Sequence, residues 1–363
     1  MKSASFRENN FDSLRICLAL FVIVGHAYEL IRHNSHDPLN RLTNGIGNFA
    51  YLGVAGFFSI SGYLVYQSFL RSSSYKEFLY KRALRIFPGL FVNLVFIAFI
   101  AAPFLTRMPR LLYTSPEPYR FVIRNMLLVK PVYNIGDIFS KNPYPSVLNG
   151  SLWTLVYEFL FYLLFIFLFI ARKYIRAKKV PRIMMNLLPV VVFAIIILTY
   201  ALPEHYIPFT AVSTSHILGL STWFMMGIWL SHLGSRPLLN KILLIAGILI
   251  FILTLASVLP VYMMYFSWPM VVVLFGSLRT PILSKAHLLG DPSYGIYIYG
   301  FFIQQLLIYL GYNTLATHMM LAIIISGLVG YASWHLVEKK ALALKKRAKK
   351  SQEPPTEFRT INS

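Results

Sequence analysis

The sequence predicts an all-α protein, a polytopic bundle of about ten membrane-spanning helices with the N- and C-termini both cytoplasmic. Three observations lead there. Hydrophobic residues make up 57% of the 363-residue chain and its mean hydropathy is +0.61. Charged residues make up only 13%, against about 25% in a soluble domain. Lys and Arg gather in the segments between apolar runs, as the positive-inside rule requires. A single soluble core has no room for so much apolar surface. The formal net charge of +21 is accounted for by loop placement, so no nucleic-acid partner is expected. The lone cysteine, Cys17, rules out an internal disulfide and leaves a cysteine-based metal site without ligands.

The expected spans lie near 11–31, 48–69, 86–105, 151–171, 183–202, 213–233, 240–258, 261–278, 290–311 and 314–337. The sixth and eighth contain polar or Pro breaks and are the weakest. The first run has no small-residue cleavage site and is long enough to span, so it reads as a retained helix rather than a signal peptide. With the N-terminus inside, the fifth, seventh and ninth loops face outward and hold no Lys or Arg. The second loop (Arg71, Lys76, Lys81, Arg82, Arg85) and the fourth (Arg172, Lys173, Arg176, Lys178, Lys179, Arg182) face the cytoplasm. The outward loop 106–150 is basic as well, but long loops obey the rule poorly. Within it, Tyr119–Val129 mixes apolar residues with Arg120 and Arg124, which predicts an interfacial or re-entrant helix near 119–130. Residues 1–338 form the bundle. Residues 339–363, basic and then polar with Pro354 and Pro355, form a disordered cytoplasmic tail near anionic headgroups.

Ionisable residues within a span cost ~2.5–3.5 kcal/mol each, and they mark function. At about 100° per residue, Asp12, Arg15, Ala19, Val22, His26 and Glu29 share one stripe of the first helix, with Cys17 on its far side. His26 and Glu29 stand at i, i+3, close enough to touch. A carboxylate beside an imidazole fixes its tautomer and raises its basicity, which suits a general base; a structural tie to a neighbouring helix fits the same pair. His26 lies ~21 Å along the helix from Asp12, and Glu158 lies ~10 Å into the fourth span from Ser151, so the two are expected at a common level. Arg82 and Arg85, one turn apart at the start of the third span, suit a phosphate clamp or ordinary positive-inside flanking, and Arg15 can join them. His33, His36 and Asp37 resemble a metal cluster only superficially, and no metal is expected.

Six segments, in order, carry a resemblance. They are FDSLRICLALFVIVGHAYEL with Asp12, Arg15 and His26; GFFSISGYLV with Phe57, Phe58, Ser61, Gly62 and Tyr63; and KRALRIFP with Arg82 and Arg85. They continue with SLWTLVYEFLFY (Trp153, Leu155, Glu158, Tyr162), LGDPSYGIYIYGFF (Ser293, Tyr294, Tyr297) and ASWHLVEKK. Together they resemble the acyltransferase-3 family of membrane-bound acyltransferases over about 9–340. Three positions depart from the family pattern: Gly300 stands where a His is common, Thr154 where Ser is common, and Lys340 where Pro is usual. The resemblance implies transfer of an acyl group, most often acetyl from acetyl-CoA, to a hydroxyl of a lipid-linked or outward-facing glycan. It implies a multi-pass protein of the bacterial inner membrane, in contact with lipids and holding no bound cofactor. In that scheme His26, Glu29 and Glu158 are catalytic, and Arg15, Arg82 and Arg85 bind the donor. Ser61, Tyr294, Tyr297 and Trp153 are candidates for the acceptor site or the oxyanion. The competing readings are a proton-coupled transporter or flippase of a glycan or lipid precursor, and a catalytically silent assembly protein.

Overall fold

The computed structural model describes residues 9–32, 37–43, 47–175, 187–201, 206, 213–234 and 236–350. Among these the only β feature is an isolated bridge between Tyr206 and Ser213. The main helices are α1 (Phe11–Arg32), α2 (Phe49–Arg71), α3 (Tyr75–Leu105), α4 (Glu117–Leu127), α5 (Trp153–Ile175) and α6 (Leu188–Ala201). They continue with α7 (Thr214–Leu233), α8 (Pro237–Leu255), α9 (Val261–Ser277), α10 (Ser293–Tyr309), α11 (Leu315–Ser333) and α12 (Lys339–Lys350). The described parts of all ten expected spans fall on helices, but among the described residues only six helices are long and apolar enough to cross a bilayer: α1, α2, α3, α5, α8 and α11. Of the other four, α6 has 14 residues and α10 has 17. Pro269 and a π turn interrupt α9, and Ser, Thr, His and Gly dilute α7.

Local signals set the helix ends. Asn48 caps α2 by accepting from the Tyr51 N–H at 2.7 Å. Ser74 caps α3 by accepting from the Glu77 N–H at 3.2 Å, and the Glu77 carboxylate reaches back to the Ser73 N–H at 2.8 Å. This capping arrangement starts α3 at Tyr75, eleven residues before the apolar run begins at 86, so Lys81, Arg82 and Arg85 ride on a continuous helix.

Close helix crossings rest on small residues. A Cβ on Gly62 of α2 would lie 2.0 Å from the Phe224 carbonyl oxygen of α7, and one on Gly227 of α7 would lie 2.1 Å from the Ser59 carbonyl oxygen of α2. Backbone contact of this kind is how helices associate where lipid removes the hydrophobic drive. On α1 the middle of the expected stripe faces inward, with Ala19 and Val22 buried and Cys17 exposed on the far side, but Glu29 at the end of the stripe is exposed.

The 106–150 segment is strapped onto the bundle by buried amides. The Asn149 side chain donates to the Ile298 carbonyl at 2.8 Å and to Asn93 Oδ1 at 3.2 Å. Gln305 Nε2 donates to the carbonyls of Tyr144 and Val147, both at 2.8 Å. α4 is the helix expected near 119–130. It packs Phe121 and Asn125 inward and exposes Tyr119, Ile123 and Leu127, an interfacial pattern laid against α3. The disordered tail expected from 339 begins instead as helix: α11 runs through a π turn (Trp334–Glu338) directly into α12. Residues 351–363 lie outside the described residues.

Candidate active site

A cavity of about 890 Å³ opens between α1, α2, α3, α5, α10 and the α11–α12 junction. Six basic side chains reach it (Arg15, Arg71, Lys81, Arg82, Arg85, Lys339) against three carboxylates (Asp12, Glu158, Asp291). That imbalance in a partly enclosed space favours an anionic ligand.

The arginines are not equivalent. Asp291, on the loop leading into α10, accepts from Arg15 Nη1 at 2.9 Å and from Arg85 Nη2 at 2.6 Å, and the Ser293 hydroxyl also donates to it. Burial alone would raise the Asp291 carboxyl. The two guanidinium groups and the serine outweigh it and hold the group down at about 2. Arg85 also lies 3.6 Å from the buried Glu338 carboxylate and over the Tyr294 ring at 5.7 Å. Arg82 differs. Among the described residues it forms no ion pair. Its Nη2 donates to Ser68 Oγ at 3.5 Å, its Cζ lies 5.9 Å from the Tyr162 ring centroid, and its buried Nε has no partner. A buried guanidinium without a carboxylate costs free energy unless an anion arrives. Arg82 is therefore the open seat, while Arg15 and Arg85 form a neutralised wall beside it.

Deeper in, Glu158 Oε1 accepts from Ser61 Oγ at 3.1 Å and from the Tyr162 hydroxyl. One turn further along α5, Thr154 Oγ1 and the Tyr297 hydroxyl lie 2.5 Å apart, and Tyr297 also donates to the Ser151 carbonyl at 3.1 Å. Tyr294 donates to the Ile86 carbonyl at 2.8 Å. The hydroxyls of Ser61, Tyr294 and Tyr297 are thus already engaged within the protein, so serving an oxyanion requires each to exchange its acceptor.

His26 is not in the cavity wall. It is half-buried, edge-on to Phe301 with ring centroids 5.2 Å apart, one turn of α10 beyond Tyr297. Among the described residues no hydrogen bond joins it to Glu29, which is exposed. Because Thr154 is bonded to Tyr297, Glu158 and Phe301 sit about one turn to either side of that pair. His26 therefore lies ~12 Å beyond Glu158, away from the arginines, and the two do not share a level. Trp153 faces this far end too, with its ring 4.7 Å from His216 and 5.6 Å from Tyr157. His33 and His36 lie outside the described residues. Asp37 caps the short helix Pro38–Leu42 and accepts from the Phe49 N–H at 2.8 Å, which is a structural duty. Sequence reasoning missed Asp291, Glu338, His287, Trp334 and His335. The first two stand in quoted motifs, DPS and LVEKK, whose charges carry no sign of a partner some 200 residues away.

A family model described as an acyltransferase domain matches residues 8–335. Over 94% of its length the chain is 32% identical to nodulation protein 10 of Rhizobium leguminosarum bv. viciae, covering 95% of that protein. Over 93% of its length it is 28% identical to the O-acetyl transferase of Shigella phage Sf6, covering 96% of that one. No solved structure matches it. With six helices of spanning length behind that match, the chain is a multi-pass membrane protein and belongs to the acyltransferase-3 family.

Proposed function

We propose that the protein is a membrane O-acetyltransferase that moves acetyl from acetyl-CoA to a hydroxyl of a cell-surface or lipid-linked glycan, in the inner membrane of a bacterium. The observation that carries this is the unpaired guanidinium of Arg82 in a cavity with excess positive charge, a setting for the phosphates of an anionic thioester. The relative named O-acetyl transferase supports oxygen as the acceptor atom. The donor enters from the arginine end, which the positive-inside rule puts at the cytoplasm.

His26 stands at the opposite end, where the acceptor arrives, with Trp153 and His216 beside that entrance. His26 takes the proton from the acceptor hydroxyl, whose oxygen attacks the thioester carbonyl. The C–O bond forms, the C–S bond breaks, and the CoA thiolate leaves to be reprotonated. Glu29, exposed and without a hydrogen bond to His26 among the described residues, has no orienting contact in this arrangement, and Glu158 positions the reacting groups from the cavity wall. The scheme requires the thioester to pass the Thr154–Tyr297 pair. The test is incubation of the purified protein with labelled acetyl-CoA and a glycan acceptor. His26→Ala is expected to abolish label transfer at unchanged protein level. Retained transfer removes His26 as the base, and solute uptake into vesicles without transfer by the native protein favours a carrier.

A further inference from the structure

At the α12 end, the cavity has a surface that acyl transfer itself does not use. Gly290 has φ +92°, and a Cβ there would fall 1.9 Å from Trp334 Nε1. Only glycine lets the indole lie directly on this backbone, so the residue fixes Trp334 in the wall. Next to it, His335 Nε2 is buried with no partner, its ring held 4.3 Å from Tyr331. Across the wall, His287 Nδ1 is 2.6 Å from the Ser284 carbonyl. That contact puts the proton on Nδ1 and makes Nε2 the acceptor of the neutral ring. Leu342 supplies an apolar edge. A flat aromatic, two imidazoles and an open arginine within one cavity match the parts of a purine nucleotide: a ring to stack, an exocyclic amine and ring nitrogens to bond, and phosphates to pair.

We propose that this end of the cavity binds the purine of the donor nucleotide, with Trp334 as the stacking surface, His335 and His287 as the polar contacts, and the phosphates turned toward Arg82. The inference rests on the acetyl-CoA reading and narrows it. The enzyme recognises its donor by the nucleobase, which sets acetyl-CoA apart from a thioester carried on a protein arm.

The probe is adenosine 3′,5′-bisphosphate, titrated against the purified full-length protein by calorimetry. Trp334→Ala is expected to weaken binding at least tenfold, consistent with base–aromatic stacking elsewhere, while Trp334→Phe retains most of it. In transfer assays, the native preference for acetyl-CoA over acetyl-pantetheine, measured as a ratio of kcat/KM, is expected to shrink at least tenfold in Trp334→Ala. If that variant does not purify as a single species, His335→Leu is expected to weaken probe binding in its place. Native-like probe affinity in these variants, or an unchanged donor preference, overturns the proposal. Should the native protein bind the probe yet transfer acetyl from neither donor, the nucleotide seat stands and the acetyl-transfer reading falls.

Discussion

Asp291 holds together the arginine end of the cavity, since one carboxylate bonds two guanidinium groups from helices far apart in sequence. Asp291→Asn leaves Arg15 and Arg85 buried without a full counter-charge. Breaking a buried pair in this way costs ~3–5 kcal/mol, so a clear fall in Tm in detergent is expected. The sign of the pH effect follows from the carboxyl being held at about 2, below its ordinary value near ~3.9. The folded state binds its proton later than the unfolded chain does, so the stabilisation is complete above pH ~4 and fades as pH falls toward 2. Thermal unfolding from pH 5 to pH 2 should show that loss in the native protein and a shallower one in the variant. At this scale the sequence was half legible. Spacing and the positive-inside pattern made Arg82 and Arg85 candidates together, but nothing local distinguishes the arginine that is already paired from the one that is open. That difference is made by Asp291 and Glu338, whose approach depends on tertiary packing.

Among the elements, helix existence was readable and function-bearing detail was not. The described parts of all ten apolar runs fall on helices because run length and hydropathy suffice to place them, without an amphipathic period. Hydropathy places the start of α3 too late because its first turns are polar, and the Ser74–Glu77 cap that begins them lies outside the apolar run. The α12 helix has no sequence signature of its own, because twelve residues rich in Lys resemble a solvated tail; its helicity comes from direct continuation of α11. Gly62 and Gly227 were visible only as letters, yet they set the α2–α7 spacing. Gly227→Ala places a methyl against the Ser59 carbonyl. Overpacking of this type costs ~1–3 kcal/mol, expected as a lowered Tm with the helical circular dichroism signal retained.

At the scale of the whole molecule, the charge distribution fixes how the bundle sits. On the orientation proposed from the positive-inside rule, the Lys- and Arg-bearing segments around Ser73 and α12 share the cytoplasmic side, and the strap over α10 faces outward. A C-terminal fluorescent-protein fusion should therefore be fluorescent in intact cells. Ser140→Cys should react with a membrane-impermeant thiol reagent in intact cells and Ser73→Cys only after lysis; the reverse pattern would invert the topology. In the proposed scheme the same arrangement separates donor from acceptor, with Arg82 at one end and His26 at the other. Helical pitch alone predicted a common level for His26 and Glu158, which the structure does not give them. Pitch did not show that Tyr297 and Phe301 stand between them, because that depends on which face α10 turns toward α1.

The π turn at Trp334–Glu338 has a bearing on how such a protein diverges. A wide turn carries roughly one residue more than an α turn, and so rotates everything after it by ~100°. Trp334 and His335 sit within this turn, and Lys339 and Leu342 follow it, all lining the cavity. On the proposed reading, a single codon gained or lost there would swing the basic stretch of α12 away from the cavity in one step, making this turn a cheap place to retune donor choice.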